Sequence, residues 1–179
     1  MKTATIGFRA KTGRAIAIGL SGEAFVLRHE FDLTDPRVPE TAQPFHAVME
    51  LPWREAIKTA APFVAAIEAV AAERLASLLQ EIASRGFTIK RVGIVGSQDR
   101  DLVRLGNPHI RAHAAEGILF RRVLEVAAAT HGLQATSFTE QEARDSAPAA
   151  LLNAIGKEAG KPWRTDEKAA ATAAWLARR

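Results

Sequence analysis

The chain has 179 residues, of which 47% are hydrophobic and 25% are charged, and its formal net charge is +4 at pH 7. This length and composition predict a single globular domain spanning residues 1–179. The absence of cysteine excludes disulfides and thiolate metal sites. No secretory leader or membrane span is recognisable, so we expect a cytoplasmic protein with no membrane partner. The positive charge is compatible with an anionic partner but does not identify one.

The first strands of the fold are predicted at the N-terminus, where three apolar segments are separated by short turns. In Thr3–Ala10 apolar residues alternate with small or polar ones, the period-two pattern of a half-buried strand. A polar turn around Gly13 leads into a second apolar run. Ser21-Gly22 is a two-residue hairpin signal, and a third strand is predicted over residues 24–33. These strands form an antiparallel meander.

A long loop and a long helix are predicted next. Residues 34–53 contain four prolines and no periodicity, which predicts an irregular segment, and loops of this length are usually functional or mobile. From Arg54 apolar residues recur at spacings of three, four and seven, and Gly86 ends the pattern. Pro62 lies inside this pattern. It predicts a break or kink, with the main helix starting near the proline.

Strands and helices alternate in the remainder of the chain. Arg91–Gly96 has the composition of a buried strand in the middle of a parallel sheet. Thr139 and Glu142 form a capping-box pattern at the start of a short helix, and Thr165 is the predicted cap of the last helix. The other predicted elements are a helix over 110–131, a strand over 134–138, a helix over 148–155 and the last helix over 166–177.

This order of elements resembles the ribonuclease H-like superfamily, and within it the RuvC-type Holliday-junction resolvases and their uncharacterised bacterial relatives. Two stretches carry the likeness. Ile6–Gly13 stands where the family has a glycine, an apolar residue, an aspartate and a turn, and Asp166–Leu176 resembles the family's last helix, in which an acid precedes small residues. The resemblance implies a three-layer α/β/α fold with a five-stranded mixed sheet that begins with the antiparallel meander.

The same resemblance implies phosphodiester cleavage by carboxylates that converge on two divalent metals. The first carboxylate belongs on the first strand, where this chain has Arg9. The second belongs at the end of the fourth strand, where the nearest acid is Asp99, and the third near the start of the last helix, where Asp166 or Glu167 can serve. These three acids are the candidate catalytic residues. Because the first carboxylate is missing, we predict no bound metal and no cofactor, with Mg²⁺ required only if the chain is an active nuclease.

Basic residues are the candidate nucleic-acid-binding residues, since lysine and arginine release counterions from phosphates. The alternative is that they form solvated rims, because acids are interspersed among them. Trp163 can stack on a base or pack with Trp175. The candidates are Arg9, Lys11, Arg14, Arg121, Lys161, Arg164 and Lys168.

A separate pattern joins His109, His113 and Glu116, which fall at i, i+4 and i+7 and share one face of a predicted helix. Two histidines four residues apart with a nearby carboxylate can bind zinc. The sequence lacks a complete zinc motif, and we favour a histidine pair on a solvated face with Glu116 paired to a basic group.

The sequence therefore predicts a nucleic-acid-binding relative of the resolvases with a degenerate metal site, which contacts DNA or RNA through the phosphate backbone and is not a two-metal nuclease. The predicted site is a charged cleft in which Arg9, residues 97–99 and residues 166–168 converge, with Arg9 paired to Asp99, Asp166 or Glu167. One alternative is a non-enzymatic interaction module that forms a homodimer through loop 34–53 or a sheet edge. Another is an active nuclease that uses displaced acids.

Overall fold

The computed structural model describes residues 1–179 and contains one five-stranded sheet. The strand order is β3-β2-β1-β4-β5, in which β1, β2 and β3 are antiparallel neighbours and β4 and β5 run parallel to β1. The strands are β1 (Lys2–Lys11), β2 (Arg14–Ser21), β3 (Ala24–Asp32), β4 (Phe87–Val95) and β5 (Gln134–Phe138). The predicted mixed sheet, with the meander on one side and Ile94 in an interior strand, is confirmed.

Helices cover both faces of this sheet. They are α1 (Trp53–Ser84), α2 (Pro108–Thr130), α3 (Glu140–Ser146), α4 (Ala149–Ala159) and α5 (Thr165–Leu176). On one face, Ile6 and Phe8 of β1 and Ile94 of β4 are fully buried in the main core, to which α1 and α2 contribute. On the other face, Ile18 of β2 packs with Trp175 of α5. This is the predicted three-layer arrangement. None of the helices combines the length and the apolar composition that a transmembrane span requires.

Two glycines allow α5 to lie directly on the sheet. Gly7 and Gly93 are register partners in β1 and β4. A Cβ at Gly7 would overlap the backbone of Ala170, and one at Gly93 would overlap the backbone of Ala173. The hydroxyl of Thr5 also donates a 2.8 Å hydrogen bond to the carbonyl of α5 residue Ala174. The helix therefore runs antiparallel to β1, which brings the first turn of α5 to the carboxyl end of that strand.

The predicted break at Pro62 is wrong. Helix α1 begins at Trp53 and continues through the proline to Ser84. Proline removes a backbone donor, which costs stability inside a helix. The turns before it are held by packing, because Ala56 and Ala60 are buried against Val48 of the long loop. Tertiary burial therefore outweighs the local cost.

Element ends differ by smaller amounts from the prediction. The hairpin turn lies one residue later than predicted, between Ser21 and Ala24, with Gly22 at a φ of 63°. Helix α5 begins at Thr165, which is therefore not its cap. Instead the backbone N–H of Arg164 donates to the Glu167 carboxylate at 2.8 Å. The capping box of Thr139 and Glu142 is confirmed.

The loop after β3 is held by its own hydrogen bonds. The Asp35 carboxylate accepts from the backbone N–H of Arg37 and from its guanidinium, at 2.8 to 2.9 Å. These bonds lower the pKa of Asp35 from 3.8 to about 2. The hydroxyl of the fully buried Thr41 accepts from the backbone N–H of Asp35. The start of the loop is therefore a compact turn rather than a featureless excursion.

The lowered pKa of Asp35 gives a pH prediction. Because the carboxyl is more acidic in the folded state than in the unfolded state, its contribution to stability is complete above about pH 4 and is lost as the pH falls toward 2. We expect Asp35→Asn to remove this part of the acid dependence, measured as urea midpoints across that window. An unchanged acid dependence in the variant would show that other carboxyls account for it.

Candidate nucleic-acid interface

A cleft of about 800 Å³ opens at the carboxyl ends of β1, β4 and β5. Its floor comes from the end of β1 and from residues 96–98 after β4, and its walls come from the starts of α2 and α3. Strand β1 is the point at which the sheet changes from antiparallel to parallel pairing. Ligands of open α/β sheets bind at the carboxyl ends of parallel strands, so the cleft lies where the topology favours a ligand.

The charge of the cleft is predominantly positive. Four cationic side chains line it, namely Arg9, Lys11, Arg100 and Arg144, against one carboxylate, Glu140. A second carboxylate, Asp166, contacts Arg9 and Lys11 at its base. Neither Arg100 nor Arg144 takes part in an ion pair, so both charges are available to a ligand. A concave surface lined by one sign of charge concentrates ligands of the opposite sign. The cleft is therefore suited to an anion such as a phosphate.

Arg9 lies at the base of the cleft and is only 8% exposed. Its Nε donates to Asp166 at 3.2 Å, and its Nη2 donates to Glu140 at 2.6 Å. Lys11 adds a second cation 3.6 Å from Asp166. The predicted pair between Arg9 and Asp166 is present, and the first turn of α3 supplies a partner, Glu140, that the sequence did not indicate.

These residues do not fit the divalent metal that the ribonuclease H-like resemblance implies. The two carboxylates at the base of the cleft both bind the Arg9 guanidinium, and Lys11 lies against one of them. A divalent cation at this place would meet two positive side chains at close range, where like-charge repulsion is strong. At the base of the cleft, no group of three or more metal-ligating side chains is positioned to hold an ion.

The other two candidate catalytic acids lie apart from Arg9. Asp99 binds Arg121 and Arg122 of α2, the latter at 3.1 Å. Glu167 is 5% exposed and accepts the backbone N–H that precedes its own helix. The sequence placed all three acids in one charged cleft with Arg9. The structure brings only Asp166 into contact with Arg9, because each of the other two is engaged by a nearer donor.

The candidate nucleic-acid-binding residues are also divided. Arg9 and Lys11 line the cleft, whereas Arg121 is 11% exposed and binds Asp99 and Glu125. Arg14 pairs with Glu30 at the neighbouring hairpin edge. The remaining candidates, Lys161, Arg164 and Lys168, do not line the cleft. Trp163 packs against Gly156 and joins the cluster that contains Trp175. Of the two roles considered for Trp163, base stacking and packing with Trp175, this is the second.

The candidate site residues named from the sequence did not include Arg100, Glu140 or Arg144. Arg100 follows β4 and Glu140 follows β5, so both stand where parallel strands end. That position is a recognisable signal, because side chains after neighbouring parallel strands meet at one sheet edge. Arg144 has no such signal, since its place depends on how α3 folds over the cleft.

A histidine from the long loop, His46, changes the interpretation of the pattern formed by His109, His113 and Glu116 in α2. His109 and His113 are exposed, as predicted, whereas Glu116 is fully buried. Its carboxylate accepts from the backbone N–H of His46 at 3.0 Å and lies 2.8 Å from the Nδ1 of the same residue. The predicted pairing of Glu116 with a basic group is therefore made by a residue 70 positions earlier in the chain, which fastens the loop to α2.

Comparisons with known proteins agree with this fold. No protein-family model matches the chain, and no curated protein sequence does. Among solved structures, the chain is similar to Thermus thermophilus RuvC in complex with a Holliday junction substrate, with a TM-score of 0.52 and 16% identity over 98% of this chain and 95% of that one. A second Thermus thermophilus RuvC structure matches with the same identity and a TM-score of 0.47. The fold is thus ribonuclease H-like and similar to that of RuvC.

Proposed function

We propose that this chain binds nucleic acid through the phosphate backbone, in the cleft at the carboxyl ends of β1 and β4, and does so without a divalent metal. The observation that carries the proposal is that positive side chains replace carboxylates at the base of the cleft. Arg9 and Lys11 pair with Asp166 at the place where a two-metal nuclease needs free carboxylates. Arg100 and Arg144, which have no ion-pair partners, supply further phosphate contacts at the cleft wall. RuvC, whose fold this chain shares, has been seen with a Holliday junction substrate.

Recognition in this cleft should depend on charge more than on sequence. Contacts from lysine and arginine to phosphate oxygens position a nucleic acid but do not read its bases. Such binding weakens steeply as salt rises, because each phosphate contact releases counterions. A binding relative of this kind therefore differs from an interaction module, whose apolar interface would respond little to salt.

The test is fluorescence anisotropy with a four-way DNA junction, duplex DNA, single-stranded DNA and an RNA–DNA hybrid, at about 50 and 200 mM salt. We expect binding that persists in excess chelator. The triple variant Lys11→Ala, Arg100→Ala, Arg144→Ala should lose roughly tenfold or more in affinity, and the slope of log affinity on log salt should fall by about 0.9 for each contact removed.

The matched control removes the same charge elsewhere, through Lys58→Ala, Lys90→Ala and Lys157→Ala at three exposed positions outside the cleft. Equal losses of affinity in both triple variants would show that binding depends on the net charge of the protein and not on the residues of the cleft. No binding to any substrate would leave the interaction module as the function. Cleavage that needs Mg²⁺ or Mn²⁺ and is abolished by Asp166→Asn would establish the nuclease alternative instead.

A further inference from the structure

Three histidines cluster beside the cleft. His46 comes from the long loop, and His109 and His113 come from the first turns of α2. The ring centroid of His46 lies 4.8 Å from that of His109 and 6.2 Å from that of His113. His109 and His113 also line the cleft. The loop therefore brings a third imidazole to a pair whose spacing on the helix already places both rings on one face.

Glu116 orients the imidazole ring of His46. Its Nδ1 lies 2.8 Å from Glu116, a fully buried carboxylate that no lysine or arginine contacts. A carboxylate accepts and does not donate, so Nδ1 carries the proton, and in the neutral imidazole Nε2 then keeps its lone pair. A carboxylate that orients an imidazole in this way is the usual partner of a metal-bound histidine. Glu116 has hydrogen bonds from His46 but no lysine or arginine beside it. Burying a carboxylate without a full positive charge nearby is costly, and a metal ion bound to His46 would offset that cost.

We propose that Nε2 of His46, together with His109 and His113, forms a binding site for a divalent transition metal such as Zn²⁺, with Glu116 orienting His46. Imidazole is a preferred ligand of zinc, nickel and copper, whereas Mg²⁺ prefers oxygen. Three protein ligands leave a fourth position for water or another oxygen ligand. The site does not depend on nucleic-acid binding, because its residues are separate from Arg9, Lys11 and their carboxylates.

The rings are close but not yet arranged around one point. With metal–nitrogen bonds of about 2.0–2.1 Å, imidazoles that share an ion have ring centres about 5 Å apart. The pair His46–His109 has this spacing, whereas the His113 ring lies 6.2 Å from that of His46 and must move closer. His109 and His113 are exposed and make no hydrogen bond or ion pair, so their rings are free to change rotamer. His46 is held in place by Glu116.

The experiment is isothermal titration of the full chain, freed of any polyhistidine tag, with Zn²⁺ and with Co²⁺, whose visible spectrum reports ligand geometry. We expect one equivalent of each metal to bind. His109→Ala and His113→Ala should each weaken binding by at least about tenfold, and Glu116→Gln by about 10–100-fold. Circular dichroism establishes that each variant is folded. The two exposed histidines test the site even if His46→Ala does not fold.

The matched control is His29→Ala, an exposed histidine of β3 that pairs with Glu81 and lies outside the cluster. It should bind metal as the wild type does. The proposal is overturned if the folded wild-type chain binds no stoichiometric metal, or if His109→Ala and His113→Ala bind as tightly as it does. Equal weakening by His29→Ala would show adventitious surface binding and would also overturn it. Because nucleic-acid binding is measured in chelator, the two proposals can fail separately.

Discussion

Replacing Gly7 by alanine should destabilise the protein by about 3 kcal/mol or more, because the new methyl group would overlap the backbone of α5. A flexible side chain could move aside, but the neighbouring atoms here are the carbonyl of Ala170 and the backbone nitrogen of Ala174. The helix as a whole must shift away from β1. That shift would also displace Asp166, at the start of α5, from Arg9. The measurement is the free energy of unfolding from urea denaturation.

Two comparisons make this result specific. Gly93→Ala should have a similar effect, since a Cβ there would overlap the backbone of Ala173. Gly106→Ala is the matched control, because no atom lies within 4 Å of its added carbon, and its effect should stay within about 0.5 kcal/mol. A loss below about 1 kcal/mol for Gly7→Ala would mean that α5 can withdraw from the sheet at little cost.

Arg9→Asp should make the stability of the protein depend on divalent cations. The substitution removes a guanidinium that contacts Asp166 and Glu140 and puts a third carboxylate beside them. Breaking a largely buried ion pair costs about 3–5 kcal/mol, and the exposure of Glu140 reduces that cost to about 2–3 kcal/mol here. Added Mg²⁺ should restore stability, by about 2.7 kcal/mol at a hundred times its dissociation constant. Thermal unfolding with and without chelator measures both effects.

Arg9→Gln is the informative comparison for this prediction. This substitution removes the same positive charge without adding a carboxylate. The variant should therefore be destabilised, but Mg²⁺ should not raise its stability. Arg14→Asp controls for the charge change itself, because Arg14 and Glu30 form an exposed pair worth at most about 1 kcal/mol. If Mg²⁺ stabilises Arg9→Gln as much as Arg9→Asp, the cation binds elsewhere and the base of the cleft is not its site.

The candidate site was predictable in part. Arg9 and Asp166 could be assigned to one place because the resemblance to resolvases aligned the first strand and the last helix, and the structure joins them at 3.2 Å. Asp99 and Glu167 were assigned there by the same argument and lie elsewhere. Their hydrogen-bond donors, Arg121 and the backbone N–H of Arg164, are nearer than Arg9. Topology fixes where a backbone position lies, but competing donors decide where its side chain points.

By itself the sequence determined the features that rest on local interactions. The presence of strand β1, the capping box at Thr139 and the glycine that ends α1 each involve residues within a few positions of one another, so their pattern is legible along the chain. The half-buried character predicted for β1 is wrong, because helices cover both faces of the sheet and every residue from Ala4 to Ala10 is buried. Tertiary structure alone decided the continuity of α1 through Pro62, the pairing of His46 with Glu116 and the contact of Arg9 with Glu140. Each of these joins residues that are distant in sequence, and burial or charge pairing there outweighs local propensity.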